Sequence, residues 1–117
     1  MSTDIDMLQH IAFEEMKSGQ YEEAAIHFNQ VYTGDPNNYM AYFLRACCKS
    51  HCGIRGNVIP DAQKLTSAFE LTCEKAIARR QEILLTDIMS LYEEKMRNLA
   101  YNAVEEVEYV SQVQICV

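Results

Sequence analysis

At 117 residues with a formal net charge of −7, the chain is long enough for one compact domain and too short for two ordinary ones. The acidic excess lies in residues 1–50 and again at Glu105, Glu106 and Glu108, which leaves no basic face for phosphate and excludes nucleic acid as an expected partner. About half the residues are hydrophobic, too many for a disordered chain, yet no apolar run approaches the ~20 residues of a membrane span.

The N-terminus reads Met1-Ser2-Thr3-Asp4-Ile5-Asp6, acidic where a secretion signal is basic, so the expected setting is cytoplasmic, without a membrane partner. From Thr3 to Ser18 a stripe of Ile5, Leu8, Ala12, Glu15 and Met16, with Ile11 beside it, recurs at steps of three and four and predicts a helix. Thr3 or Asp4 is its expected cap and Gly19 its expected stop. A second helix is predicted over Tyr21 to Thr33, with Tyr21, Ala24, Ala25, Phe28 and Val31 on one face and Glu22 and Glu23 at its positive end. The run Asp35-Pro36-Asn37-Asn38 stops it and caps a third helix over about Asn38 to His51.

Beyond Pro60 there is neither glycine nor proline. A stripe of Leu65, Phe69, Cys73, Ala76, Ile77, Leu84, Ile88, Leu91, Leu99, Ala103, Val107 and Val110 runs on at helical spacing. One unbroken helix over that stretch would be ~75 Å long, more than a small domain can bury. The least apolar segment, Ala78-Arg79-Arg80-Gln81-Glu82, is where a turn is expected, giving helices of about 61–78 and 82–112. The rival is an unbroken helix in a coiled-coil dimer.

Helices joined by two or three residues must fold back as antiparallel hairpins. The residues of the first hairpin go further. Leu8 at the opening large position, the pair Ile11-Ala12, the turn residue Gly19, then Tyr21, Ala24, Phe28 and Val31, and the closing Asp35-Pro36-Asn37-Asn38 resemble the tetratricopeptide repeat, a 34-residue helix-turn-helix unit. The match spans residues 5–38. A second unit starts with Tyr42, Ala46 and Gly53 at matching positions and then departs. Arg45 stands where leucine is usual, and an insertion of about seven residues, Gly53 to Ile59, precedes a second helix that would pack through Leu65, Phe69 and Thr72. The expected fold is therefore all-α and a single domain over 1–117. Its antiparallel hairpins are of the α-α superhelix type, with one repeat-like hairpin plus a third helix over 1–53 and long C-terminal helices over 60–113.

In that family the first helix of each repeat lines a concave groove that receives a peptide or a helix. The resemblance implies a groove formed by Gln9, Phe13, Met16, Lys17, Met40, Phe43, Cys47 and Ser50. Members that clamp a carboxylate tail carry lysine and asparagine where this chain has Gln9, Phe13 and Leu44, so that specificity is not expected. Small acidic proteins of this kind also resemble the helical-repeat chaperones of bacterial secretion. The alternative is that Phe13, Met16, Met40 and Phe43 are core, covered by the C-terminal helices.

The sharpest candidate for chemistry is Cys47-Cys48-Lys49-Ser50-His51-Cys52, because thiolate and imidazole one turn apart are metal-ligand types. Cys48 with Cys52 and Cys47 with His51 have i, i+4 spacing, but the two pairs point about 100° apart on a helix, so four ligands cannot surround one ion. A remote ligand such as Cys73 would have to join one pair. Packing of small thiols between helices is the expected role, with no metal and no cofactor. The five cysteines are an odd number, which speaks for free thiols. His10 and Glu14, also i, i+4, form at most a weak exposed pair. Arg79-Arg80 suits a solvated face, with a docking patch for an acidic partner as the alternative. No phosphate cradle or nucleophile elbow is present, and no catalysis is expected.

The function expected is a non-catalytic interaction module, an adaptor or chaperone-like scaffold, that binds a protein, peptide or amphipathic helix. Alternatives are a homodimer assembled through the long C-terminal helices and a segment of a larger helical-repeat protein, for which the apolar end Val113-Gln114-Ile115-Cys116-Val117 argues.

Overall fold

The computed structural model describes residues 2–52 and 58–115, with side chains placed for 4–52 and 58–105. Over these the chain is helical: α1 (Ser2–Lys17), α2 (Tyr21–Gly34), α3 (Tyr39–His51), α4 (Val58–Ala78), a single 3-10 turn (Glu82–Leu84) and α5 (Leu85–Ile115). No strand occurs among the described residues.

Helix α1 starts at Ser2, one residue earlier than the spacing predicts, so Thr3 and Asp4 lie in its first turn rather than at its cap. Asp4 there faces the positive end of the helix. At its other end Gln20 N–H donates to the Glu15 carbonyl at 2.8 Å and Gly19 N–H to the Met16 carbonyl at 3.2 Å. That pair of bonds is a Schellman motif, which needs its C′ residue in the left-handed region, and Gly19 takes it at φ 83°. Helix α4 ends in the same way. Gln81 N–H donates to the Ala76 carbonyl at 2.8 Å and Arg80 N–H to the Ile77 carbonyl at 3.1 Å. Here the left-handed residue is Arg80, at φ 56°. The turn at 79–81 excludes the unbroken coiled-coil helix considered from the sequence.

Asn38 caps α3 by accepting the Ala41 N–H at 3.0 Å, and its amide nitrogen donates to Gln9 Oε1 at 3.2 Å. Pro60 falls inside the first turn of α4, where its missing N–H has no helical acceptor to leave empty. The helix thus begins three residues before the expected position.

Two apolar clusters share α3. Ala41, Leu44 and Cys48, at helical steps, join Ala12 of α1 and Ala24, Ala25, Phe28 and Val31 of α2. Tyr39, Phe43 and Cys47, on the other side of α3, join Leu65, Ala68 and Ala76 of α4 and Ile88 and Leu99 of α5. Leu91 packs against both. Helix α3 is therefore the central element, buried on two faces. Ile11, read from the sequence as part of the packing pair with Ala12, turns outward while Ala12 is fully buried. Ile77 likewise leaves the C-terminal stripe for the surface. Val107 and Val110 lie outside the residues whose side chains are described.

Candidate functional site

The eight groove positions divide into two groups. Gln9, Phe13, Met16 and Met40 are half-buried and Lys17 is exposed. Phe43 and Cys47 are 0 % exposed and Ser50 is 7 % exposed. Phe43 and Cys47 do not line an open groove, which corrects the expectation for them, while Ser50 borders a cleft between α3 and α4 instead of a groove shared with α1. The cause is the C-terminal half of the chain: α4 and α5 close over the face of α3 that carries them, and Ser50 turns its hydroxyl to the Cys47 carbonyl at 2.6 Å. What stays accessible is a narrower face on α1 and the start of α3. Phe13 sits edge-on to Phe28, with ring centroids 5.4 Å apart, so its ring is partly spent on the hairpin core. Met16 packs on the α1–α2–α3 cluster and Met40 on the α3–α4–α5 cluster. Gln9 holds Asn38 and ties α1 to the N-terminus of α3.

Of the cysteine run, Cys47 and Cys48 are buried while Cys52 is exposed. Burial, reinforced by the neighbouring thiol, pushes the Cys47 thiol up to about 12, and burial pushes Cys48 to about 12 as well. Cys52 and Cys73 are also raised, in each case chiefly by burial. Protonated thiols are neither good nucleophiles nor ready metal ligands. The Cys52 thiol instead donates to the Cys48 carbonyl at 3.4 Å. Among the described residues no three His, Cys, Asp or Glu side chains are placed to hold a metal ion. Cys116 lies outside them.

Three charged or polar contacts could not be read from the chain. Lys95 of α5 is 4 % exposed; its ammonium stands 5.4 Å from the centre of the Tyr21 ring and 3.7 Å from Glu94. Tyr21 in turn stacks on His51 at 3.9 Å. His51 Nε2 is buried and finds no hydrogen-bond partner among the described residues. Burial first, and then the Lys95 charge, hold the imidazole below its ordinary 6.5, against a smaller opposite pull from Glu94. The third contact is His27 Nδ1 to Glu15 Oε1 at 2.5 Å across the α1–α2 hairpin. A helical-phase signal for Lys95 did exist: Ile88, Leu91, Lys95 and Leu99 follow steps of three and four. His10 and Glu14 are not brought together as an acid–base pair; both are exposed, and Glu14 turns to Lys17 at 3.8 Å. Arg79 is not free either, since Nη1 donates to the Asn37 carbonyl at 2.5 Å and the guanidinium covers the Tyr39 ring at 5.3 Å.

No helix among the described residues is long and apolar enough to cross a membrane. No protein-family model, curated protein or solved structure matches the chain.

Proposed function

We propose that this chain is a non-catalytic protein-interaction module, an adaptor or chaperone-like scaffold, that docks a peptide or amphipathic helix on the face made by α1 and the start of α3. The observation that carries this reading is that Phe13 and Met16 on α1 and Met40 at the start of α3 are only half-buried, with half-buried Gln9 and exposed Lys17 also on α1. A helix laid there would gain by removing their remaining apolar area from water, at roughly 25 cal/mol per Å².

The test replaces Phe13 and Met16 with serine and leaves Phe43 untouched. Partner capture by the tagged chain should fall at least about tenfold while far-UV circular dichroism is retained, a loss of ~1.4 kcal/mol or more in binding. An unchanged partner set with unchanged helicity would refute the proposed face.

A second reading has its own observation. On α5, Leu99 is buried while Tyr101 and Val104 are 70 % and 57 % exposed. A second copy covering these would make α5 a dimerisation helix, in which case the alternative role is structural. Light scattering at high concentration decides this reading. A dimer that dissociates in a Tyr101→Glu, Val104→Glu variant supports it, and a monomer at every concentration excludes it.

A further inference from the structure

The departure of Arg45 from the repeat pattern has a counterpart in space. A cleft of about 390 Å³ opens between α3 and α4, lined among others by Tyr42, Arg45, Lys49, Asp61, Lys64 and Ser67. Three of the ten Lys and Arg residues of a chain with a net charge of −7 therefore meet at one cavity, against a single carboxylate. No residue of α1 lines it, so it is separate from the docking face above.

Arg45 is fixed before any ligand arrives. Its Nη1 donates to Asn29 Oδ1 at 2.6 Å, and its guanidinium lies over the rings of Tyr42 and Tyr32, at 5.0 and 5.5 Å. A guanidinium held by one N–H and two aromatic rings keeps further donors in a planar fork that matches a phosphate or carboxylate edge. Lys49 and Lys64 are exposed, and among the described residues neither is within ion-pair distance of an acid. The rest of the wall combines Tyr42, Ala46, Pro60 and Ala68 with the polar side chains of Ser50, Gln63 and Ser67. Such a cavity, of small-ligand size, has two chemically different parts: a cationic rim with a net of two positive charges and a mixed wall of aromatic, apolar and polar side chains.

We propose that this cleft is a binding site for an aryl phosphomonoester. The dianionic phosphate would lie against Arg45, Lys49 and Lys64, and the ring against Tyr42 and Pro60. A phosphomonoester carries close to two negative charges near neutral pH, the charge the rim balances, whereas a carboxylate carries one. The same group reaches a protein either as a small free phosphoester or on a phosphorylated tyrosine of a peptide.

The experiment is a titration of the isotopically labelled full chain by NMR with phenyl phosphate, inorganic phosphate, benzoate and a short phosphotyrosine peptide. Phenyl phosphate should saturate below ~10 mM, at least about tenfold tighter than benzoate or inorganic phosphate, with shifts on α3 and α4 around residues 42–49 and 61–67. The binding should weaken as ionic strength rises. Arg45→Gln should weaken it by about tenfold, and so should the double variant Lys49→Gln, Lys64→Gln, whose exposed side chains are removable without touching the core. Tighter binding of the phosphotyrosine peptide than of phenyl phosphate would assign the peptide source, and equal or weaker binding the free phosphoester. The proposal is overturned if phenyl phosphate fails to saturate, if benzoate or inorganic phosphate binds equally well, or if the lysine double variant keeps its fold and full affinity.

Discussion

Phe43 and Phe13 look alike in the sequence, since the resemblance implies a groove position for both, and the structure gives them opposite predicted behaviour. Phe43 is fully buried among α3, α4 and α5, so Phe43→Ser should cost about 3–5 kcal/mol and unfold much of the chain at ambient temperature. Phe13→Ser should cost less, about 1–2 kcal/mol, because the ring is only half-buried. Urea denaturation of the two single variants checks the order. Lys95 is the second residue-scale case. Its stem fills an apolar position of α5 and its charge is nearly sealed from water. Lys95→Met keeps the volume and drops the charge, so its stability should stay within about 1 kcal/mol of the parent or rise, while Lys95→Ala should lose about 2–3 kcal/mol. A Met variant as unstable as the Ala variant would show that the ammonium itself is needed.

His51 gives the chain a pH dependence whose sign follows from burial. Its folded value lies below the ordinary 6.5, so on acidification the unfolded chain takes up the proton first. The stability tied to the neutral imidazole is complete above pH 6.5 and is lost as the pH falls below it. His51→Phe keeps the stacking on Tyr21 and removes the titration. The stability difference between parent and variant should therefore widen in the variant's favour as the pH drops from 7 towards 5. A constant difference across that range would show that the imidazole does not titrate differently on folding.

At the scale of elements, the paired Schellman turns make a direct comparison of backbone chemistry. Gly19 and Arg80 hold the same left-handed position, and only glycine holds it without strain. Arg80→Gly should raise stability by about 0.5–1 kcal/mol and Gly19→Ala should lower it by about 1 kcal/mol, read as opposite shifts in thermal midpoint. These turns also explain what the sequence could and could not reveal. Gly19, Asp35-Pro36 and the cap Asn38 are punctuation with a local mechanism, so α1 to α3 are legible to within a residue or two. The break after Ala78 carries no glycine or proline, and only a dip in apolar content marks it. Pro60 reads as a boundary from the chain, yet the first turn of α4 accommodates it. On α1, local spacing leaves Gln9, Phe13 and Met16 half-buried and Lys17 exposed. Burial was not legible for Phe43 and Cys47, because it depends on α4 and α5, helices outside the local spacing of α3. Nor could spacing reveal the α3–α4 cleft, whose cations come from two helices on either side of the stretch 53–57.

For the molecule as a whole, α3 is the shared wall of both apolar clusters, so the two halves of the bundle should unfold together. Site-specific photo-crosslinking addresses the proposed α1 partner surface directly, with far-UV circular dichroism checking that each variant keeps its helices. A benzophenone side chain is placed at Phe13 or Met16, and as a control at Ile83, an 87 % exposed residue on the turn before α5. A partner or peptide adduct is expected from positions 13 and 16 and none from 83. Adducts from 83 alone, or equally from all three positions, would contradict the proposed surface.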